Sequence, residues 1–363
     1  MATPKETLWE LDPHTKAKHE ILGRYLAAWF PILGTYHSRI VYVDGCSGPG
    51  RYKTGEAGSP VIALNVAVNH RKSIGGEVVF WFIEEREDRI EHLRQELASI
   101  TVPAHFKVIS ESGKFHEKFG EVLKSIDAGK DTLAPTFAFI DPFGFSGIPF
   151  SLIEGLLKCR RCEAFVTFMA DAINRFLEHP EDKVVQHIVD AFGTTEAVQI
   201  AKGSGDRVAK LRELYQSKLQ QVAKYVRYFE MRDRQNRPQY YLFFATNNEL
   251  GHLKMKEAMW KVDPDGDFRF SDATNPNQLV LFEADTTPPL VGELRREFCA
   301  KGQVTGFAVR TFVENKTAYL KKHMTAALKQ EEEATKVRVE PLKTDGKKRR
   351  ANTYPDEAKL AWV

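Results

Sequence analysis

Short apolar runs alternate with helical patterns through the first two thirds of the chain. Apolar residues recur at helical spacing between Thr15 and Leu33, which predicts a helix with one buried face. The β-branched run RIVYV, which begins at Arg39, stops at Asp44 and passes into a glycine-rich turn, as a buried parallel strand does. Ser59 then opens a second helix with proline in its first turn. The chain therefore contains a strand, a glycine turn and a helix in direct succession.

Four further apolar runs repeat this alternation. They read EVVFWFIEE, HFKVISE, TFAFIDP and EAFVTFM, and helical segments separate them. Five strands joined by helices predict a parallel, doubly wound sheet with helices on both faces. The runs KYVRYFEMRD and PQYYLFFATN, joined by RQNR, predict a closing hairpin. A parallel sheet of five strands finished by a hairpin is the seven-stranded arrangement of class I methyltransferases, so we expect a Rossmann-like α/β fold of that kind.

The pattern changes at two places. Residues 172–222 are helical throughout and predict an insertion packed on the sheet. From residue 288 to residue 363, three helical segments precede two β-capable stretches, which is the order of a winged helix-turn-helix module. We therefore expect a Rossmann-like domain over 1–287 and a winged helix-like domain over 288–363.

Composition restricts the compartment. A chain of 363 residues with 42% hydrophobic content can bury a full α/β core and a smaller second unit. Four cysteines in a chain of this length favour a reducing compartment, so we expect a cytoplasmic protein. We expect no membrane association, because no apolar run approaches the length needed to cross a bilayer and the N-terminal segment is polar.

The formal net charge of +3 is distributed unevenly. Residues 290–363 contain sixteen Lys and Arg against ten Asp and Glu, which leaves a net charge of −3 for residues 1–289. A basic C-terminal part is compatible with binding to DNA or RNA, although an ordinary solvated surface produces the same count.

The glycine turn carries the first candidate site. Gly45, Gly48 and Gly50 allow a sharp turn and a close approach of the backbone to a ligand, while Asp44 and Cys46 flank the first glycine. The spacing G-x-x-G-x-G differs from the dinucleotide fingerprint G-x-G-x-x-G, which disfavours NAD. We expect S-adenosylmethionine as the cofactor here. The alternative is a tight turn with a purely structural role.

Acids at the next strand ends extend this site. Glu84 ends the apolar run VVFWFI, where an acid grips a ribose diol through two charge-assisted hydrogen bonds. The alternative for Glu84 is a solvated acid favoured by the following helix dipole. Ser110 and Glu111 occupy the equivalent place on the third strand, and we expect them near the adenine.

Several stretches together resemble the three-Cys-motif partner family, abbreviated TcmP. Their order and spacing span nearly the whole chain. The stretches are KHEILGRYLAAW (18–29), YVDGCSGPGRY (42–52) with GSP (58–60), FIEE (82–85), FIDPFGFSGIPF (139–150), INRF (173–176) and YYLFFATNNELGHLKMKEAMW (240–260). The resemblance implies a class I methyltransferase-like fold, a genetically linked three-Cys-motif partner with radical-SAM-like character, and a role in bacterial systems that involve mobile elements.

A second candidate site follows the fourth strand. Asp141, Pro142 and Phe143 resemble the (D/N)PP(Y/F) loop of amino-methyltransferases, whose acid or amide accepts from a substrate NH2 while the aromatic ring stacks on a base. Here phenylalanine replaces the second proline. We expect Asp141 to accept a proton during transfer, and Phe145 to contact the substrate. The alternative is a turn whose phenylalanines belong to the core.

Substrate contacts are expected at two further places. Asn174 and Arg175 follow the fifth strand and are candidates for an anionic substrate, with a helix surface as the equal alternative. The presumed wing carries four consecutive basic residues, which would contact phosphates without reading sequence. They are Lys347, Lys348, Arg349 and Arg350.

Two functional hypotheses remain open at this level. The first is an S-adenosylmethionine-dependent methyltransferase acting on nucleic acid. The second is a catalytically silent adaptor that binds a nucleotide or the partner protein. The complete glycine turn favours the first, and the departure of the DPFG sequence from the catalytic loop favours the second.

Overall fold

The computed structural model describes residues 4–127, 129, 132–144, 147–200, 202–263, 268–272, 287–340 and 349–363. These residues form two compact units. The first unit comprises residues 4–258 and 269–272, and the second comprises residues 259–263, 268, 287–340 and 349–363. Within the described residues, no helix combines the length and the apolar character needed to cross a bilayer.

One sheet organises the first unit. Its described strands are β1 (Arg39–Asp44), β2 (Glu77–Glu84), β3 (Phe106–Ser112), β4 (Thr136–Ile140), β5 (Glu163–Phe168), β6 (Tyr225–Arg232), β7 (Pro238–Thr246) and β8 (Arg269–Ser271). They lie in the order β3-β2-β1-β4-β5-β7-β6-β8. Strands β1 to β5 are parallel, and β7 is antiparallel to both of its neighbours. This order confirms the predicted class I methyltransferase-like fold, with β8 added at the edge.

Helices cover both faces of this sheet. They are α1 (Pro13–Tyr36), α2 (Ser59–Val68), α3 (Glu87–Ala98), α4 (Phe115–Asp127), α5 (Phe150–Lys158), α6 (Ala170–Phe176), α7 (Asp182–Phe192), α8 (Glu196–Ile200), α9 (Arg207–Val222) and α10 (Glu249–Val262). Helices α6 to α9 form the helical region that was predicted as an insertion. Each strand from β1 to β5 is followed by a helix, as parallel neighbours require.

The sheet buries apolar residues on both faces because helices pack against each. On one face, Tyr25 of α1 lies 5.1 Å from Phe137 and 5.2 Å from Phe244, measured between ring centroids. On the other face, Val43 and Ile83 belong to a core cluster that includes residues of α4, α5, α7 and α9. Burial on both faces explains why the strands are nearly continuous apolar runs and do not alternate.

The second unit contains three longer helices and a small sheet. Its elements are α11 (Thr287–Phe298), a 3-10 helix (Cys299–Lys301), β9 (Gln303–Thr305), α12 (Gly306–Lys316), α13 (Lys321–Glu333), β10 (Val337–Val339) and β11 (Lys359–Trp362). The strands are antiparallel, in the order β10-β11-β9. Strand β9 was not predicted, since three residues carry too little periodicity. The assignment of this unit as a winged helix module stays a prediction.

Candidate functional site

A cavity of about 690 Å³ lies along the carboxyl ends of β1, β2, β3 and β4. Gly45 and Cys46 line it after β1, Glu84 at the end of β2, and Pro142 and Phe143 after β4. Strand β1 is the topological switch point, because the chain leaves it toward β2 on one side and reaches β4 on the other. Open α/β sheets bind ligands outside such a point. The cavity brings together residues predicted from three separate strand ends.

The glycine turn is attached to the end of β2. Gly48 and Gly50 have φ angles of 63° and 82°, a backbone region that favours glycine. This conformation directs the Gly48 amide to Glu84 Oε2 at 2.9 Å. The amide of Ser47 donates to the carbonyl of Ile83 at 2.9 Å. The turn and the strand end therefore form one rigid wall, although Gly48 and Gly50 themselves border a smaller cleft of about 30 Å³ beside the large cavity.

Two backbone amides hold the side chain of Glu84 in place. It is 6% exposed, and its two oxygens accept from Gly48 at 2.9 Å and from Arg86 at 3.0 Å. A backbone N–H can only donate, so the two amides hold the carboxylate oxygens as acceptors in one orientation. A carboxylate has about four acceptor positions. Two of these are filled by the amides, which leaves capacity for a ligand diol on the cavity side.

Asp44 does not line the cavity, contrary to the prediction that it binds the cofactor. Its side chain is fully buried, and it accepts from the amide of Cys46 at 3.4 Å and from the hydroxyl of Tyr42 at 3.3 Å. Burial raises the pKa of Asp44 to about 7, although a hydrogen bond from Ser59 opposes this shift. Asp44 therefore stabilises the turn from within the protein, through its hydrogen bond with the Cys46 amide. The strand pleat turns its side chain into the protein.

Ser110 and Glu111 also lie away from the cavity. Strand β3 continues to Ser112, so Gly113, Lys114 and the residues after them take the expected place. Glu111 accepts from Trp81 Nε1 and from Lys118 Nζ, both at 2.9 Å, on an open cleft beside α4. The hydrogen bond from Lys118 lowers the pKa of Glu111. Neither residue is placed to meet an adenine in this cavity.

Asp141 lies on a second, smaller cavity of about 270 Å³ and forms an ion pair there. Lys18 Nζ donates to Asp141 Oδ2 at 2.5 Å, and Lys18 is only 4% exposed. The same Nζ lies 5.3 Å from the ring centroid of Tyr240. Pro142 and Phe143 line both cavities, so they form the partition between them.

The ring of Phe143 is packed by protein on more than one side. Trp9 meets it edge to face at 5.3 Å, and the Arg89 guanidinium lies 5.3 Å from its centroid. Arg89 also stacks 4.6 Å from the Trp9 ring. In this arrangement Phe143 is a wall residue, and stacking on a substrate ring would require Trp9 or Arg89 to move.

The remaining predicted residues lie elsewhere. Arg175 pairs with Asp171 at 3.4 Å on the surface of α6, and Asn174 does not line the large cavity. Arg349 donates to Glu332 and to the carbonyl of Thr353 at 2.7 Å, so its guanidinium is engaged within its own unit. Arg350 is exposed. Phe145, Lys347 and Lys348 lie outside the described residues.

Sequence reasoning missed three residues that shape the two cavities. Trp9 precedes the first helix in a stretch without periodicity, so no signal marked it. Lys18 lies in the KHEILGRYLAAW stretch, but its partner is 123 residues away. Arg89 lies one turn before Leu93 on the buried face of α3. A charged residue in an apolar stripe is the one signal that could have identified it.

Buried thiols and histidine give this region little nucleophilic character. Burial raises the pKa of the Cys46 thiol well above its ordinary value, and at the opposite edge of the sheet burial raises the pKa of Cys162 to about 12. Burial also lowers the pKa of His19 to about 3. The Cys46 and Cys162 thiols and the His19 imidazole are therefore neutral near pH 7. Across the described ranges, no group of three His, Cys, Asp or Glu side chains is arranged to hold a metal ion.

No protein-family model matches this chain, and no curated protein sequence matches it. Solved structures share its arrangement loosely. A Legionella pneumophila protein is 13% identical, with 70% of this chain and 94% of that one covered and a TM-score of 0.40. Human methyltransferase-like protein 13, in complex with SAH, is 10% identical, with 74% and 97% covered and a TM-score of 0.36. The plantazolicin methyltransferase BpumL, in complex with SAH, is 10% identical, with 64% and 86% covered and a TM-score of 0.32.

These TM-scores are below 0.5, so the three likenesses carry no argument about function. The assignment of the fold rests on the strand order of this chain, in which β7 is inserted antiparallel between β5 and β6. That order is the class I methyltransferase-like fold.

Proposed function

We propose that this chain binds S-adenosylmethionine in the large cavity and acts as a methyltransferase. The observation that carries the proposal is the cavity of about 690 Å³ at the switch point, lined jointly by Gly45, Cys46 and Glu84. The strand order supports the same class of protein. A purely structural turn would have no reason to leave an open space beside a buried acid.

The residues around the cavity suit an adenosyl group. Glu84 has acceptor capacity left for the two ribose hydroxyls. At Gly45, a Cβ would lie 2.6 Å from the Phe115 ring, so only glycine leaves the backbone bare at this point. Helix α4 begins at Phe115, and its first amides are donors without partners in the helix. A diol acceptor, a bare turn and a row of donors are the groups that an adenosyl ligand needs.

Bound S-adenosylmethionine would supply an activated methyl group, and the chain would need only to position an acceptor and remove its proton. Asp141 is the candidate proton acceptor, because it lies on the smaller cavity behind the Phe143 partition. Its ion pair with Lys18 fixes the orientation of the carboxylate. Asp141 would accept the proton that the acceptor atom releases when the methyl group leaves the cofactor sulfur and SAH remains.

The acceptor class and the partner follow from the resemblance and from charge. The basic excess in residues 290–363 supports DNA or RNA as the substrate, and the TcmP resemblance supports a linked three-Cys-motif partner in a bacterial, cytoplasmic setting. Arg310 pairs with Asp356 at 2.8 Å and with Glu314 at 2.7 Å. With Arg349 engaged as well, the exposed Lys321, Lys322 and Arg350 are the described residues best placed for phosphates.

Calorimetric titration of the full chain with S-adenosylmethionine and with SAH tests the cofactor. We expect saturable binding of both. A tritiated-methyl assay over DNA, RNA and the partner protein then tests transfer. Asp141→Asn should abolish transfer and leave binding of SAH within about threefold, since Asp141 does not line the large cavity. Unchanged transfer by this variant would remove Asp141 from the mechanism.

A second function, a catalytically silent adaptor, is favoured by one specific observation. Phe143 is engaged by Trp9 and Arg89, and Asp141 by Lys18, so both groups of the DPFG loop already have partners. An adaptor would bind SAH or a nucleotide in the calorimeter and transfer no methyl group to any acceptor. Trp9→Ala separates the two functions, because it removes one of the two contacts on the Phe143 ring. Transfer should rise in a methyltransferase and stay absent in an adaptor.

A further inference from the structure

A separate pocket of about 270 Å³ lies at the opposite, amino-terminal edge of the sheet. The second half of α1, the start of β5 and the turn between β7 and α10 enclose it. Glu163 is the first residue of β5, whereas the large cavity lies beyond the last residues of the parallel strands. The volume is close to the lower end of small-molecule pockets, about 300 Å³. This pocket shares no lining residue with the cavity discussed above.

A buried carboxylate forms one end of the pocket. Glu163 is 5% exposed and accepts from the hydroxyls of Tyr25 at 2.6 Å and Thr246 at 2.7 Å. Gly251 allows α10 to approach, since a Cβ there would overlap Glu163 Oε1. Burial raises the pKa of Glu163. A buried acid costs free energy unless it is paired, and its remaining acceptor positions suit a donor on a ligand.

Cationic side chains surround the other end. Arg161 Nη1 lies 3.4 Å from His37 Nδ1, and Lys254, which pairs with Glu257 at 2.8 Å, lines the same rim. Within the described ranges, neither Arg161 nor His37 forms an ion pair with a carboxylate. Arg161 has a φ of 62°, which is uncommon for a residue other than glycine. Burial, and then the neighbouring Arg161, lower the pKa of His37. A neutral His37 accepts this hydrogen bond through Nδ1, and the other N–H groups of the Arg161 guanidinium can donate to an anion.

Aromatic and aliphatic side chains connect the two ends. Tyr25, Trp29 and Leu33 repeat along one face of α1 and line the pocket. Tyr36 and Leu250 line its mouth, and they are 79% and 47% exposed. Exposed large apolar residues at a pocket mouth mark a binding site more often than a plain surface.

We propose that this pocket binds a nucleoside monophosphate whose base carries an exocyclic amino group. The amino group would donate to Glu163, the base would lie between the side chains of α1 and Leu250, and the phosphate would be held by Arg161, His37 and Lys254. Glutamate accepting from the amino group of cytosine is a known mode of base recognition, and arginine is the preferred partner of phosphate. The proposal is independent of the methyltransferase function.

Titration of the full chain with CMP, UMP and cytidine tests this proposal directly. CMP and UMP differ at one ring position, an amino group against a carbonyl, and cytidine lacks the phosphate. We expect CMP to bind at least tenfold more tightly than either. Equal affinity for the three probes, or no binding at millimolar concentration, would overturn the proposal. Tighter binding of a peptide with a C-terminal aromatic residue would also overturn it.

Two variants test the two ends of the ligand separately, one at the amino group of the base and one at the phosphate. Glu163→Gln should lower the preference for CMP over UMP at least fivefold, because an amide can donate to the uracil carbonyl. Arg161→Gly accepts the φ of 62° and should lower the preference for CMP over cytidine to a similar extent. Lys72→Ala, on an exposed lysine outside the pocket, is the control and should change neither ratio. Displacement of CMP by SAH would place the nucleotide in the large cavity and contradict the proposal.

Discussion

The two edges of the sheet each contain a buried glutamate, and the two are held differently. At the carboxyl edge, Glu84 accepts from two backbone amides, at 2.9 and 3.0 Å. At the amino edge, Glu163 accepts from two side-chain hydroxyls, at 2.6 and 2.7 Å. Their exposures are nearly equal, at 6% and 5%. Burial therefore does not distinguish the two sites. They differ in the donors, which are backbone amides at Glu84 and side-chain hydroxyls at Glu163.

Amides and hydroxyls impose different constraints on an acid. An amide N–H can only donate, so it holds Glu84 as an acceptor in a fixed orientation. A hydroxyl rotates and either donates or accepts, so Glu163 can be ionised or protonated without losing its partners. We infer that Glu84 is suited to the recognition of hydroxyl groups, whereas Glu163 can keep its two partners in either protonation state.

Removal of the Glu84 carboxylate should have the largest effect. Glu84→Ala should weaken binding of S-adenosylmethionine at least a hundredfold, because two charge-assisted hydrogen bonds to the ribose would be lost. Calorimetry on the full chain measures this. Glu91→Gln, on an exposed acid of α3, is the matched control and should bind normally. An affinity within threefold of the unmodified chain for Glu84→Ala would remove the carboxyl edge from cofactor recognition.

The glycine turn at the carboxyl edge should be intolerant of a single methyl group. At Gly50, with a φ of 82°, a Cβ would also lie 2.7 Å from Leu93 Cδ1. At Gly55, with a φ of 97°, a Cβ meets nothing within 4 Å. Both alanine variants share the backbone strain, so their difference isolates packing. We expect Gly50→Ala to cost about 2 kcal/mol more than Gly55→Ala.

Scanning calorimetry of the two glycine variants provides the comparison. A destabilisation of about 2 kcal/mol corresponds to a fall in Tm of several degrees for a unit of this size. Equal melting temperatures would show that the turn relaxes away from α3, and that the wall between the turn and the end of β2 is softer than the hydrogen bonds indicate.

Exchange of each glutamate for glutamine should separate the two kinds of donor. In Glu84→Gln, the new NH2 group would face a backbone amide, so one buried donor would lose its partner at a cost of about 1–3 kcal/mol. In Glu163→Gln, a hydroxyl can turn and accept, so we expect a cost below about 1 kcal/mol. Thermal unfolding of both variants measures the difference. A larger loss for Glu163→Gln would reverse the comparison.

The pH dependence should show the smallest effect, at the amino edge. Glu163 has a raised pKa in the folded chain, so the folded state holds this proton more tightly than the unfolded state does. Its stabilising contribution is complete below its ordinary pKa of 4.5 and is lost as the pH rises through the raised value. Glu163→Gln should therefore flatten the fall in Tm above pH 4.5. Parallel Tm profiles for the two proteins would contradict this assignment.

Much of the fold could be predicted because short runs of apolar residues mark its strands. The apolar runs that become β1 to β5 are buried on both faces, so each is visible in sequence, and their order follows from right-handed crossovers. Strand β8 could not be predicted, since Arg269–Ser271 is too short to show a period and pairs with β6 far along the chain. The helical region over 172–222 could be predicted because its apolar residues recur at helical spacing.

The candidate site was predicted only in part, because side-chain direction is not a local property. Asp44 and Glu84 both end parallel strands, but Asp44 turns inward and Glu84 lines the cavity. A boundary error of one residue in β3 was enough to misplace Glu111. Arg349 could not be predicted to be engaged, since its partner Glu332 lies 17 residues away across a turn.

Hydrogen exchange in the presence and absence of SAH tests the central claim most directly, because it reports both edges in one experiment. Binding at the carboxyl edge should protect amides of residues 45–50, 84–86 and 113–116, and leave residues 36–37 and 248–254 unchanged. Protection of residues 36–37 and 248–254 alone, or no protection at either edge, would contradict the assignment of the large cavity as the cofactor site.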